Sequence, residues 1–297
     1  MQPLRITLAG SLGSGKSSVG RQLSKRLGAE FISTGEIFRS IGKVSNLNAL
    51  QTNLEAESNT SIDEKVDGFI LEKAASDDHF IMDSRMAWHF VPKSLKVYLY
   101  ASYEVAAQRI QSDKTRETES YENIEEAKDA LRKRRSSEQS RYKKLYDVEI
   151  DDFENYDLVI VSDSAAVDDI VDVILKSLEK PDSGKFFMSK RRVVPMMSIR
   201  ELSGVSHIVR PKEMGCLDAI LESGFGFVFE SPYKLAQFLM LGDEMICIND
   251  RMPSYVGTRD RLFEDAKQMG IGHFYDWEEI NGQDFDIKSF VSQVSSS

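Results

Sequence analysis

The sequence predicts an α/β fold: a five-stranded parallel sheet with helices on both faces, followed by a smaller C-terminal α/β domain. Three observations carry this. Short apolar runs at residues 4–8, 29–32, 79–83, 95–101 and 157–161 alternate with amphipathic segments, the pattern of strands joined by crossover helices. The run Pro181-Asp182-Ser183-Gly184-Lys185 then interrupts the alternation with linker composition. Beyond it nothing repeats the earlier pattern.

Taken in order, Leu4, Ile6 and Leu8 alternate with Arg5 and Thr7 as a short strand, and Val19, Leu23 and Leu27 recur every four residues as a helix. Between them, Gly10-Ser11-Leu12-Gly13-Ser14-Gly15-Lys16-Ser17 fits the phosphate-binding loop pattern Gly-x4-Gly-Lys-Ser/Thr. Glycines let successive backbone N–H groups turn inward around a phosphate, and the following helix presents its positive end. The alternative is a plain Gly/Ser turn, but strand, loop and helix stand in the order the phosphate mechanism requires. The fold class is therefore the three-layer P-loop NTPase fold. Gly10, Gly13, Ser14, Gly15, Lys16, Ser17 and Ser18 are the expected contacts to ATP, with Lys16 reaching the outer phosphates and the Ser17 hydroxyl on Mg²⁺.

Ala29 to Arg39 reads as a strand, a polar turn facing the phosphate loop, and the start of a helix. Residues 43–60 are polar with weak periodicity and are expected to form a mobile cover; Ile62, Val66, Phe69 and Ile70 then mark another helix. His79 to Asp83 is a buried strand ending in a carboxylate. Asp83 is placed to assist the Mg²⁺ site, through water; the alternative is a strand-end Asp capping the next turn. Leu95 to Ala101 is a strand, and a helix from Tyr103 to Ser112 carries Arg109. Ile124 to Tyr146 is helical by composition and dense in basic residues. A charge run is usually a solvated face, yet this one is positive within a chain that is acidic elsewhere. Asp157 to Val161 is the last strand, and Val167, Ile170, Val171, Ile174 and Leu178 form the stripe of a closing helix.

The formal net charge is −10, from 38 Lys and Arg against 48 Asp and Glu. That argues against a general affinity for nucleic acid or an anionic membrane, so a polyanionic ligand must be met by a focused site. No signal-type apolar core opens the chain and no apolar run approaches membrane-spanning length, so a soluble, cytoplasmic protein is expected. Cys216 and Cys247 read as two ordinary reduced thiols. His79, His89, His207 and His273 have no metal-ligand spacing.

Four ordered motifs resemble the nucleoside monophosphate kinases, closest to the cytidylate kinases and particularly their compact archaeal form, over residues 4–180. They are Gly10 to Ser17, Ser33 to Arg39, Asp83 to Trp88, and Ser137 to Tyr142 with Tyr146 to Asp151. The resemblance implies that Thr34, Gly35, Phe38 and Arg39 hold an acceptor nucleotide, Arg39 clamping its phosphate, and that Arg85 touches acceptor phosphate or ribose. It implies that Arg109, Arg134 and Arg141 close over the donor and neutralise the transferring group, beside Lys16, while Arg132, Lys133 and Arg135 are solvated neighbours. Many cytidylate kinases read cytosine with an acidic residue after the Arg of an Asp-Gly-Arg turn. Here Met86 follows Arg85 and Ser84 replaces the glycine, which leaves the base open; the compact archaeal members also lack that acid.

The expected domains are 1–180, kinase-like; 181–189, linker; and 190–297, a small α/β domain of unassigned role and partner. The last is faintly similar to ParB/sulfiredoxin-like domains, through Arg192 to Pro195, Val209 to Pro211, a strand at Met245 to Ile248 and Gly257 to Arg261. Helices are expected near 212–223, 232–241 and 258–269, with a strand at 225–229. Three functions stand. The first is transfer of the ATP γ-phosphoryl to a pyrimidine nucleoside monophosphate, CMP or dCMP. The second is a kinase acting on a modified base or nucleic-acid end, suggested by Lys190-Arg191-Arg192 and opposed by the overall acidity. The third is an ATP-dependent switch or binding protein.

Overall fold

Five strands bring the functional segments to one edge. A computed structural model of the chain describes residues 3–44, 61–113, 121–181, 184–189, 192–195, 215–222, 224–229, 231, 233–234, 237 and 245–250. In it β1 (Arg5–Gly10), β2 (Glu30–Ser33), β3 (Phe80–Asp83), β4 (Leu95–Tyr100) and β5 (Leu158–Val161) run parallel in the order β2-β3-β1-β4-β5. Strands with buried centres explain the apolar runs: Ile6, Leu8, Ile81, Leu99 and Ile160 have no exposed surface. The register pairs Leu8 with Asp83 and Ser33 with Asp83, so the carboxyl ends of β1, β2 and β3 emerge together. In an open parallel sheet this edge is where ligands bind.

Helices follow the strands, α1 (Lys16–Leu27), α2 (Thr34–Val44), α3 (Ser61–Ala75), α4 (Ala87–Phe90), α5 (Tyr103–Ser112), α6 (Ile124–Tyr146) and α7 (Val167–Glu179), and of these the one-turn α4 had no counterpart in the sequence expectations. Local chemistry sets their ends. The Ser102 hydroxyl accepts from Val105 N at the start of α5, and Asn123 Oδ1 accepts from Glu126 N at 2.9 Å at the start of α6. Gly28, in the left-handed region, closes α1 by donating its N–H to Ser24 O. None of the described helices is long and apolar enough to cross a membrane.

Two compact units result, one comprising residues Met1–Ser162 and Ile170–Ile174, the other Asp163–Asp169 and Leu175–Ser297. The second unit contains β6 (Phe186–Ser189), β7 (Val193–Pro195), β8 (Leu217–Glu222), β9 (Phe225–Val228) and β10 (Met245–Asp250) in the order β6-β10-β8-β9-β7. β10 is antiparallel to β6 and parallel to β8; β9 is antiparallel to β8 and parallel to β7.

Three expectations are corrected here. The helix expected near 212–223 is the strand β8, because pairing Glu222 with Phe225 makes β8 and β9 a hairpin with a two-residue turn, Gly224 taking a φ of 83°. Residues 186–189, expected within the linker, pair with β10. Cys216 and Cys247 are a disulfide, not two free thiols. The parallel register sets Leu217 beside Ile248, which places the two preceding cysteines side by side with their Cα atoms 4.6 Å apart. The cover at residues 45–60, most of the 232–241 helix, the 258–269 helix with Gly257 and Arg259, and Lys190 and Arg191 lie outside the described residues.

Candidate active site

The phosphate loop is shaped by backbone that only glycine tolerates. Gly10 has a φ of 135°, and a Cβ there would lie 2.0 Å from the Leu99 carbonyl oxygen; Gly15, at 86°, is the N-cap of α1. The first turn of α1 therefore opens straight onto the loop, with its N–H groups turned toward the space an anion would take. Lys16 Nζ donates to Ser11 O at 2.6 Å, Gly10 O at 3.1 Å and Ser14 Oγ at 3.3 Å. Burial, reinforced by the positive charge of Arg85, pushes this ammonium down to about 7. An anionic phosphate is the partner that would restore it.

Ser17 Oγ donates to Asp83 Oδ2 at 2.7 Å. The strand register supplies this contact: Asp83 ends β3 beside the strand that leads into the loop. A hydroxyl and a carboxylate meeting at a phosphate loop are the oxygen ligands, direct and water-mediated, that Mg²⁺ takes beside nucleotide phosphates, so the residues present fit that ion. Thr34 Oγ1 also donates to the Asp83 carbonyl oxygen at 3.3 Å, tying the start of α2 to the same point.

These groups line a cleft of about 660 Å³ that also takes in Gly35, Phe38, Asp63, Asp67, Arg85, Met86, Arg134, Glu138, Arg141 and Tyr142. Its far wall is α6. The buried stripe of that helix runs through Ala127, Leu131, Arg135, Glu138, Arg141 and Tyr142, so charged side chains occupy positions where apolar ones would be expected. Glu138, 3% exposed, is the hub: Arg85 Nε donates to it at 2.8 Å, Arg134 Nε at 3.3 Å, and Arg135 Nη1 lies 3.7 Å away. Burial alone would raise the Glu138 carboxyl, but Arg85 and then Arg134 override it and hold it down at about 2. Arg141 Nε stands 3.3 Å from Asp63 Oδ2, and its guanidinium lies over the Phe38 ring at 5.8 Å.

The structure thus brings Lys16, Ser17, Asp83, Thr34, Gly35, Phe38, Arg85, Arg134 and Arg141 to one cleft. Arg109 is not among the residues lining it. Its guanidinium donates to Ser162 Oγ and O at 2.9 and 2.7 Å and to the Gly13 carbonyl at 3.4 Å, bracing the loop against the end of β5. The Arg39 side chain lies outside the described residues. Arg135, expected to be a solvated neighbour of Arg134, is corrected: it is 8% exposed and bonds Asp151 and the Tyr98 hydroxyl. The reason is its place on the α6 stripe, four residues after Leu131. Arg132 and Lys133 are exposed.

The sequence reading assigned no role to Glu138, Asp63 or Asp67. For Glu138 a signal exists, since Ala127, Leu131, Arg135 and Glu138 are spaced by 4, 4 and 3 residues. Asp63 gives none, because a carboxylate in the first turn of a helix is ordinary dipole chemistry.

The family model described as "Cytidylate kinase-like family" matches residues 5–164. A cytidylate kinase of Methanobrevibacter smithii is 34% identical over 174 residues, which is 59% of this chain and 98% of that protein. One from Saccharolobus islandicus is 36% identical over 175 residues, 58% of this chain and 89% of that protein. Among solved structures, a shikimate kinase from Acinetobacter baumannii in complex with shikimate overlays 61% of this chain and 95% of its own, at 22% identity and a TM-score of 0.42.

Proposed function

Since the chain belongs to the cytidylate kinase-like family and is an ATP-dependent nucleotide kinase, we propose that its reaction moves the ATP γ-phosphoryl to the 5′-phosphate of CMP or dCMP. One observation supports the reading: a single cleft joins a phosphate loop to a second group of cations, Arg85 just after β3 and Arg134 and Arg141 on α6. A protein that only held ATP would have no need of that second group.

The proposal assigns these roles. The loop amides and Lys16 grip the donor phosphates, and Ser17 with Asp83 would hold Mg²⁺, which supplies charge neutralisation to those phosphates when bound. Thr34, Gly35 and Phe38 form the acceptor side, with Arg39 and Arg85 on the acceptor phosphate. An acceptor phosphate oxygen bonds to the γ-phosphorus as the bond to the β–γ bridging oxygen breaks, leaving ADP and a nucleoside diphosphate. Arg134 and Arg141 neutralise the charge that spreads over the transferring oxygens. Phosphoryl transfer needs positioning and charge neutralisation more than a covalent group, and this wall supplies both. Arg109 acts at one remove, by holding the loop at Gly13.

Residues 190–297 are assigned no part in this chemistry. The test is a coupled ADP-release assay with ATP, Mg²⁺ and a panel of nucleoside monophosphates. CMP or dCMP is the expected acceptor, and Lys16→Ala is expected to lower kcat/KM by about 10²-fold or more, the order lost when one preorganised donor to developing charge is removed. Phosphorylation of no monophosphate by the intact chain sinks the proposal.

A further inference from the structure

The cleft contains a carboxylate with an unused oxygen. Asp63, in the first turn of α3, is 5% exposed, and its Oδ2 is buried without a hydrogen-bond partner. Arg141 Nε is 3.3 Å away, an ion pair and not a hydrogen bond. Beside charged groups, the same cleft is lined by the apolar and aromatic side chains of Phe38, Val66, Ile70, Met86 and Tyr142. Burial pushes the Asp63 carboxyl up to about 6 against the pull of Arg141, the mark of an anion held where water does not reach it.

An orphaned buried acceptor costs about 1–3 kcal/mol, and one on a residue that lines a binding cleft is relieved when a bound ligand brings a donor to it. The chemistry of that ligand is constrained. A phosphate is repelled by a carboxylate, whereas the Phe38 and Tyr142 rings with Val66, Ile70 and Met86 suit a flat heteroaromatic ring. Asp67, one turn further along α3, already accepts from the Tyr146 hydroxyl.

Resting on the kinase reading above, we propose that Asp63 selects the acceptor base, its buried Oδ2 accepting a hydrogen bond from an exocyclic amino group such as the 4-amino group of cytosine. Uracil presents a carbonyl oxygen at that position. Two acceptors would then face one another without a proton between them, so UMP is excluded by the same atom that admits CMP. Met86 contributes an apolar wall, and the discriminating acid comes from α3.

Initial rates with saturating ATP test this on the full chain. The acceptors are CMP, dCMP, UMP and the pyrimidin-2-one ribonucleoside 5′-monophosphate, which is CMP without its 4-amino group. The parent enzyme is expected to prefer CMP over both UMP and the desamino analogue by about 10- to 100-fold in kcat/KM, the range for one hydrogen bond to a charged group. Asp63→Asn, whose amide can turn either face inward, is expected to bring the CMP/UMP ratio within about 3-fold of unity and to leave the KM for ATP unchanged. An unchanged CMP/UMP ratio in Asp63→Asn overturns the proposal, as does a changed CMP/dCMP ratio alone, which would place Asp63 on the ribose. The desamino analogue decides without any variant: a parent enzyme that handles it as well as CMP overturns the proposal even if Asp63→Asn does not fold. An enzyme inert toward every pyrimidine monophosphate overturns the kinase reading and this one together, whereas activity indifferent to the 4-amino group overturns this one only.

Discussion

Replacing Glu138 with Gln removes one charge from the centre of three arginines while keeping the side chain's volume. The consequence can be worked from the structure. The Glu138 carboxyl stands at about 2 against an ordinary 4.5, and it is buried, so solvent screening does not discount the difference. At about 1.4 kcal/mol for each tenfold change in proton affinity, the charged form stabilises the folded unit by ~3 kcal/mol at pH 7. Because the folded value lies below the unfolded one, this contribution is complete above pH 4.5 and is lost as the pH falls from there toward 2. Glu138→Gln is therefore expected to lower unfolding free energy by ~3 kcal/mol at pH 7 and by only ~2 kcal/mol at pH 3.5. Trp88 reports on this region, since its Nε1 donates to the Arg85 carbonyl at 2.9 Å, and the chain has only two tryptophans. Urea unfolding followed by fluorescence in a Trp277→Phe background, parent against variant at both pH values, reads the difference. A variant within ~0.5 kcal/mol of its parent at pH 7, or a gap that does not shrink at pH 3.5, would refute the view that Glu138 is ionised and held by Arg85 and Arg134.

Two further outcomes are expected. Lys16 stands at about 7 in the loop, and a bound polyphosphate would raise it, so ATP binding at pH 8 takes up close to one proton and affinity weakens by up to about tenfold per pH unit above 7; calorimetry in two buffers of different ionisation enthalpy measures this, and no uptake would place the ammonium's ordinary charge in the free loop. The Cys216–Cys247 disulfide closes a sequence separation of 31, which by the chain-entropy account stabilises the second unit by ~3 to 4 kcal/mol. Reduction should then lower hydrogen-exchange protection along β8 and β10, and equal protection with and without reductant would count against the bond.

What the sequence disclosed about the first unit it disclosed through periodicity and one motif. The five strands were legible because a sheet buried along its strands forces continuous apolar runs, and the loop because Gly10, Gly13 and Gly15 have no steric substitutes at positive φ. The second unit was less legible. Leu217 to Glu222 carries apolar and acidic residues in an order compatible with helix or strand, and only its pairing with β9 and β10 decides. The same pairing makes the disulfide. A separation of 31 residues between two cysteines says nothing until the register of β8 and β10 sets them side by side.

The candidate site was legible in its phosphate loop and in Asp83, and illegible in Glu138 and Asp63, for a physical reason. A phosphate loop is local: its residues are adjacent, and their types are fixed by backbone geometry. Those two acids act across the fold. Glu138 is four residues from Arg134 on α6 but 53 from Arg85, and Asp63 meets Arg141 from a different helix. Along the sequence both look like members of a solvated charge run, since composition cannot tell a charged residue on a helix's wet face from one on its dry face. Periodicity can. Once Ala127 and Leu131 define the dry stripe of α6, Arg135 and Glu138 fall on it, and a buried charge must be paired. An acid and an arginine on that stripe therefore demand partners from elsewhere in the fold, and Arg85 and Asp151 are the partners the structure supplies.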